Sequence, residues 1–131
     1  MEFEREAAPS SKDALAEDLL PDDALDEQVA IHVMGWTTAQ IPWAYTAAAC
    51  CWLNSDNTPL MACHAWRPSR DESQCAQVLE TLRARGYSCT IDLSPTTVTT
   101  RFFGGTTALS SCTHPDRRIA LLRAALQAAS S

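Results

Sequence analysis

Lysine is nearly missing from this sequence: of ten basic side chains, only Lys12 is not an arginine. Glycine (4) and proline (7) are too few for a collagen-like or low-complexity chain of 131 residues. No stretch approaches the ~18 consecutive apolar residues of a membrane span, so no membrane role is expected. Residues 1–6 are acidic where a secretory signal is basic and then apolar, which makes the cytoplasm the expected location. Gly104 and Gly105 lack the spacing and the following Lys-Ser/Thr of a phosphate loop. No cysteine pair has the short gap of a zinc knuckle, because Cys50 and Cys51 are adjacent and Cys63-His64 and Cys112-His114 sit far from them. Neither a metal nor a cofactor is therefore expected.

Hydrophobic residues make up 46% and charged residues 20%, the balance of a globular chain, and this length buries roughly two thirds of its unfolded surface in one domain. The formal charge of −6 is uneven. Residues 1–28 hold ten acids against Arg5 and Lys12, whereas the rest hold six acids and eight arginines. The reading is an acidic, flexible arm over residues 1–23 joined to a single domain over 24–131. An arm of this kind either solvates the chain or docks on a basic surface of another protein.

Six cysteines would suggest disulfides in a secreted protein. Without a recognisable signal, and with several of them occupying apolar positions of periodic patterns, they are expected as buried, reduced thiols, with Cys75 and Cys89 in the core.

Apolar residues spaced by three to five from Leu15 to Leu20 suggest a short helix ended by Pro21. Acids crowd the start of the next apolar run and Gly35 follows it, so a helix is predicted over 23–34, with His32 at its C-terminal end. From Trp36 to Pro59 the periodicity fails. The polar cluster at 54–57 reads as a turn between a strand within 45–53 and a short strand at 60–64. Trp36, Trp43, Trp52 and Trp66 fall in or beside this third of the chain, as a lid on the core or as an exposed platform.

Cys75, Val78, Leu79 and Leu82 repeat at helical spacing, predicting a helix over 70–85 closed by Gly86. Alternation over 87–93 places Cys89, Ile91 and Leu93 on one face, and 96–103 alternates again beyond the Ser94-Pro95 turn, giving an antiparallel hairpin packed under the helices. A polar loop with Cys112 and His114 leads into a last helix over 116–128, carrying Ile119, Leu122 and Leu126 on one face. Arg83, Arg85, Arg117, Arg118 and Arg123 form a modest basic helix surface without the aromatic interleaving of a nucleic-acid platform, so direct nucleic-acid binding is not expected. The predicted class is α+β, a layered sandwich of a small antiparallel sheet and helices in the order α-β-β-α-β-β-α.

Four landmarks in this order carry a resemblance. They are Val33-Met34-Gly35-Trp36, Pro68-Ser69-Arg70-Asp71, the run from Leu82 to Tyr87 with Arg85-Gly86-Tyr87 at its end, and the run from Arg118 to Ala128. Together they resemble the phage ABA sandwich domain of phage and prophage genomes, over roughly residues 24–128. The arm lies outside the resemblance, and residues 42–60 do not follow the family pattern. The resemblance implies an α+β sandwich and a phage or prophage origin, and it transfers no catalytic residues.

On that basis the expected role is a small accessory protein acting through a host or phage protein partner, with inhibition of a nucleic-acid-handling defence complex such as a CRISPR effector (anti-CRISPR activity) as the specific version. The expected partner-binding residues are Glu17, Asp18, Asp22 and Asp23 of the arm, Trp43 and Trp66, and the neighbouring Arg67 and Arg70. A homodimer is compatible with the sequence. The alternatives are a structural phage protein without inhibitory role and a small enzyme, whose best polar grouping is Cys63 and His64 near Ser69 and Asp71.

Overall fold

The computed structural model describes residues 22–41 and 49–130, with the side chains of Ile41 and Ala49 excepted. Among the described residues, three helices and two three-stranded sheets alternate along the chain. Helix α1 (Asp22–His32) is followed by β1 (Thr37–Ile41), β2 (Ala49–Leu53), β3 (Pro59–Ala62) and a 3-10 turn (Cys63–Ala65). Helix α2 (Glu72–Ala84) then precedes β4 (Tyr87–Leu93), β5 (Val98–Gly104), β6 (Thr107–His114) and α3 (Arg117–Ala129). Both sheets are antiparallel meanders, β1-β2-β3 and β4-β5-β6. The α+β layered class holds, and the order is α-βββ-α-βββ-α. Among the described residues, no helix is long and apolar enough to cross a membrane.

Helix α3 is the centre of the molecule. Ile119, Ala120, Leu121, Leu122, Ala124, Ala125, Leu126 and Ala128 are all buried, so the helix is apolar nearly all round, as one enclosed by other elements must be. It packs against α1, α2, β5 and β6. Its alanines let these neighbours approach closely. Its N-terminus is capped by Asp116, whose carboxylate accepts from the N–H groups of Arg118 and Ile119, and Asp116 is itself held by His114, whose Nδ1 accepts from the Asp116 N–H. Asp71 caps α2 in the same manner through the Gln74 N–H. Phe102, Leu25, Val29, Val33, Val78 and Leu82 complete the core around α3.

Three expectations are corrected here. The stretch 107–114, read as a polar loop, is strand β6. Its core-facing positions include Ser110, whose hydroxyl donates to the Ala124 carbonyl of α3, and a polar residue in an inward position hides the alternation. Strand β1 was not foreseen, because its described side chains are mostly exposed and its order comes from pairing with β2, Thr38 opposite Trp52. In β4, Cys89 is only half-buried, Ile91 is 39% exposed and Leu93 76%, although Phe102 and Thr100, the cross-strand partners of Cys89 and Ile91, are completely buried. The three do share the core-facing side; the helices cover β5, β6 and the start of β4, and leave its far end open.

The predicted helix over 23–34 ends at His32, and the chain reverses through Gly35 at φ +74°. Because α1 begins at Asp22, the last two residues assigned to the arm are helical. The expected short helix carrying Leu15 to Leu20, the strand residues 45–48 and the rest of the arm lie outside the described residues.

Candidate functional site

The chain concentrates its buried polar chemistry where α1 meets the first sheet and the segment leading into α2. Leu25, Val29 and Ala30 bind α1 to the core, yet Asp26 is also buried, at 3% exposure. A carboxylate in that position needs donors. Ser69 supplies two, its backbone N–H to Oδ1 at 2.9 Å and its hydroxyl to Oδ2 at 2.8 Å. The Asp26 carbonyl accepts in turn from the Trp66 indole N–H at 2.9 Å. Burial raises the Asp26 pKa from the ordinary value of 3.8; the Ser69 hydrogen bonds pull it down, and the charges of Asp22 and Asp23 add to the rise.

Those bonds fix the strap between the 3-10 turn and α2. Gln74 secures it from the other side, accepting from the Arg67 N–H and donating to the Ala65 carbonyl at 2.9 Å. Behind the strap the tryptophans stack in a chain. Trp36 meets Trp66 edge-on with centroids 4.6 Å apart, and Trp52 at 6.3 Å. All three are buried, as a lid on the core requires; Trp43 lies outside the described residues.

A disulfide joins Cys50 on β2 to Cys63, with Cα atoms 5.4 Å apart. This overturns the expectation that all six cysteines are reduced. The reason is the register of β2 and β3, which puts Cys51 opposite Ala62 and so carries Cys50 to the strand position facing Cys63. Cys51, Cys75 and Cys89 remain thiols. Burial, with the Glu72 charge assisting and Arg117 and Arg118 opposing, pushes the Cys75 thiol up to about 11, and burial likewise raises that of Cys89. Neither is a thiolate at neutral pH.

Between α1, β1, β2 and the strap lies a cleft of about 500 Å³. Asp23, Asp26 and Glu27 form its acidic wall, Trp52 and Trp66 its aromatic one, and the disulfide, Thr38, His64 and Arg67 close the remainder. Asp23 and Glu27 stand four residues apart, hence on one helix face, and both are exposed. Three carboxyl groups against one guanidinium make the lining acidic.

The expected binding residues divide. Asp23, Trp66 and Arg67 meet at the cleft, Asp22 sits at the exposed start of α1, and Arg70 lies 4.0 Å from Asp23 in a solvent-exposed ion pair. Trp66 is 3% exposed, so it serves as a wall and not as a protruding platform. Glu17, Asp18 and Trp43 lie outside the described residues. Asp26, Glu27, Trp52 and Cys50 were missed as binding residues, and His64 was named only for the alternative enzyme, although the Asp23/Glu27 spacing and the thirteen-residue separation of Cys50 from Cys63 across a hairpin were visible signals.

The Cys63, His64, Ser69 and Asp71 grouping is not a nucleophile with its base. Cys63 is consumed by the disulfide, the Ser69 hydroxyl is given to Asp26, and Asp71 accepts from Ser73 and Gln74, which lower its pKa. The basic helix surface is also mostly neutralised: Arg117 and Arg118 both reach Glu72, and Arg83 pairs with Glu80 at 3.0 Å. No protein-family model, curated protein or solved structure matches the chain.

Proposed function

We propose that the chain is a binding protein whose acidic cleft receives a basic segment of a protein partner. The observation that carries this reading is the lining itself. Two exposed carboxylates on one helix face stand beside tryptophan walls in a concave site large enough for an arginine or lysine side chain and its neighbours. Carboxylates bind guanidinium and ammonium groups through charge-assisted hydrogen bonds, and aromatic walls accept their aliphatic stems.

The charge of the arm reinforces the reading. It runs directly into α1, whose first turn supplies the cleft's Asp23, so arm and cleft present one sign of charge to the same partner. The four motifs shared with the phage ABA sandwich domain support a phage or prophage accessory protein. A basic partner surface fits a nucleic-acid-handling host complex, such as a CRISPR effector, as the target to be inhibited.

Peptide selection against the immobilised full chain tests the proposal. Enriched sequences should carry arginine or lysine beside an apolar residue, and their binding should weaken at least about tenfold in Asp23→Lys/Glu27→Lys. Enrichment of neutral or acidic peptides, or indifference to the double substitution, would count against it.

A further inference from the structure

Strand β4 is a sheet edge with unusual properties. Among the described residues, nothing pairs with its outer side. Edge strands are commonly guarded by lysine, proline or a bulge. None of these guards is present in β4: its seven residues pair with β5 in unbroken register, and the irregularity of this sheet lies between β5 and β6. Its single charge, Asp92, is paired with Arg101 of β5 on the polar face. The opposite face carries Tyr87, Cys89, Ile91 and Leu93, and the last two are the exposed ones.

We propose that β4 is a self-complementary docking edge, and that a second copy of this chain adds its own β4 antiparallel across a two-fold axis at Thr90. Three observations converge on this occupant. The first is side-chain parity. Centring the pair on Thr90 sets Tyr87 opposite the second copy's Leu93, and Cys89 opposite its Ile91. Apolar residues then meet apolar residues on one face, while Ser88 meets Asp92 on the other.

The second is backbone direction. The Ser94 N–H donates to the Thr97 carbonyl, so this pair is hydrogen-bonded across the hairpin. Alternation then turns the N–H and C=O groups of Ser88, Thr90 and Asp92 toward β5 and those of Tyr87, Cys89, Ile91 and Leu93 outward. The residues with outward backbone groups are the ones that this register pairs with each other.

The third is charge. The two-fold register puts no like charges opposite one another, and it brings the Asp92 end of each strand to the end where the other copy carries the exposed Arg83 and Arg85. The product is a continuous six-stranded sheet in which Leu93 of each copy is covered by Tyr87 of the other. The edge is short, so the interface falls in the weak class of under about 1,200 Å² and forms at elevated concentration. It lies on a different sheet from the acidic cleft and stands independently of the cleft's role.

Sedimentation of the full chain from micromolar to near-millimolar concentration tests this, together with cysteine cross-linking. The wild type should shift from monomer to dimer, and Leu93→Lys, which changes an exposed side chain, should weaken that shift at least about tenfold with an unchanged melting temperature. Thr90→Cys should cross-link under mild oxidation, because the two copies' residues 90 directly oppose each other; Ser88→Cys, which opposes Asp92, should not. A monomer throughout the range, a dimer indifferent to Leu93→Lys, or equal cross-linking at 88 and 90 would each overturn the proposal.

Discussion

Ser69 donates twice to Asp26, across 43 residues of sequence, and so the strap that walls the cleft is anchored on a buried carboxylate. Removing the hydroxyl with Ser69→Ala leaves Oδ2 short of a donor. A loss of about 1.5–3 kcal/mol is expected, the range for a hydrogen bond to a charged group, read by urea denaturation.

The same carboxylate sets a pH dependence. Burial raises its folded-state pKa above 3.8, so between 3.8 and the folded value the folded chain holds a proton that the unfolded chain releases. Its contribution to stability is greatest below pH 3.8 and is lost as pH rises through the folded pKa. In Asp26→Asn that segment of the stability profile should flatten. Chemical denaturation of both proteins across the acid range checks the sign.

The Cys50–Cys63 bond closes a loop of thirteen residues' separation between β2 and the 3-10 turn. Reduction, or Cys50→Ser/Cys63→Ser, should cost about 3 kcal/mol on the chain-entropy relation and loosen the cleft wall. Thiol counting of the native, unreduced protein with a small alkylating reagent should find Cys75 protected, since its pKa of about 11 leaves almost no thiolate at neutral pH.

Thr100 is completely buried on the core side of β5, and its hydroxyl has no hydrogen-bond partner among the described residues. Thr100→Val keeps the shape and removes the orphaned group. A gain of about 1 kcal/mol is expected, visible as a raised melting temperature.

Helices α1, α2 and α3 and the β4-β5 hairpin were legible in the sequence because each carries a clear period and a stop signal, such as Gly35 or Gly86. Strand β6 was not, since Ser110 faces the core and finds its partner in the backbone of α3, a long-range fact that no local pattern displays. The cleft was half legible. Asp23, Trp66 and Arg67 stood out by charge and ring, whereas Asp26 is buried only because Ser69 arrives from a distant segment to hold it. The disulfide is hidden in the sequence because it depends on the strand register that faces Cys50 with Cys63, which no local pattern displays.

The acidic arm gives a kinetic expectation. Deleting residues 1–20 removes six acids and two bases, and should slow association with a basic partner more than it speeds dissociation. The difference should shrink as salt brings the Debye length to about 8 Å or below. Binding kinetics at two salt concentrations, with and without the arm, read this out.

A basic segment seated in the cleft between α1 and the first sheet would lie against the Trp52 and Trp66 walls. Nitrogen-proton correlation spectra of the labelled full chain, titrated with a selected arginine-containing peptide, test it most directly. The largest shifts are expected at the Trp52 and Trp66 indoles and at the backbone amides of Asp23, Glu27, Thr38 and Arg67, abolished by Asp23→Lys/Glu27→Lys. Saturable shifts centred on another face, with these signals unmoved, would contradict that placement.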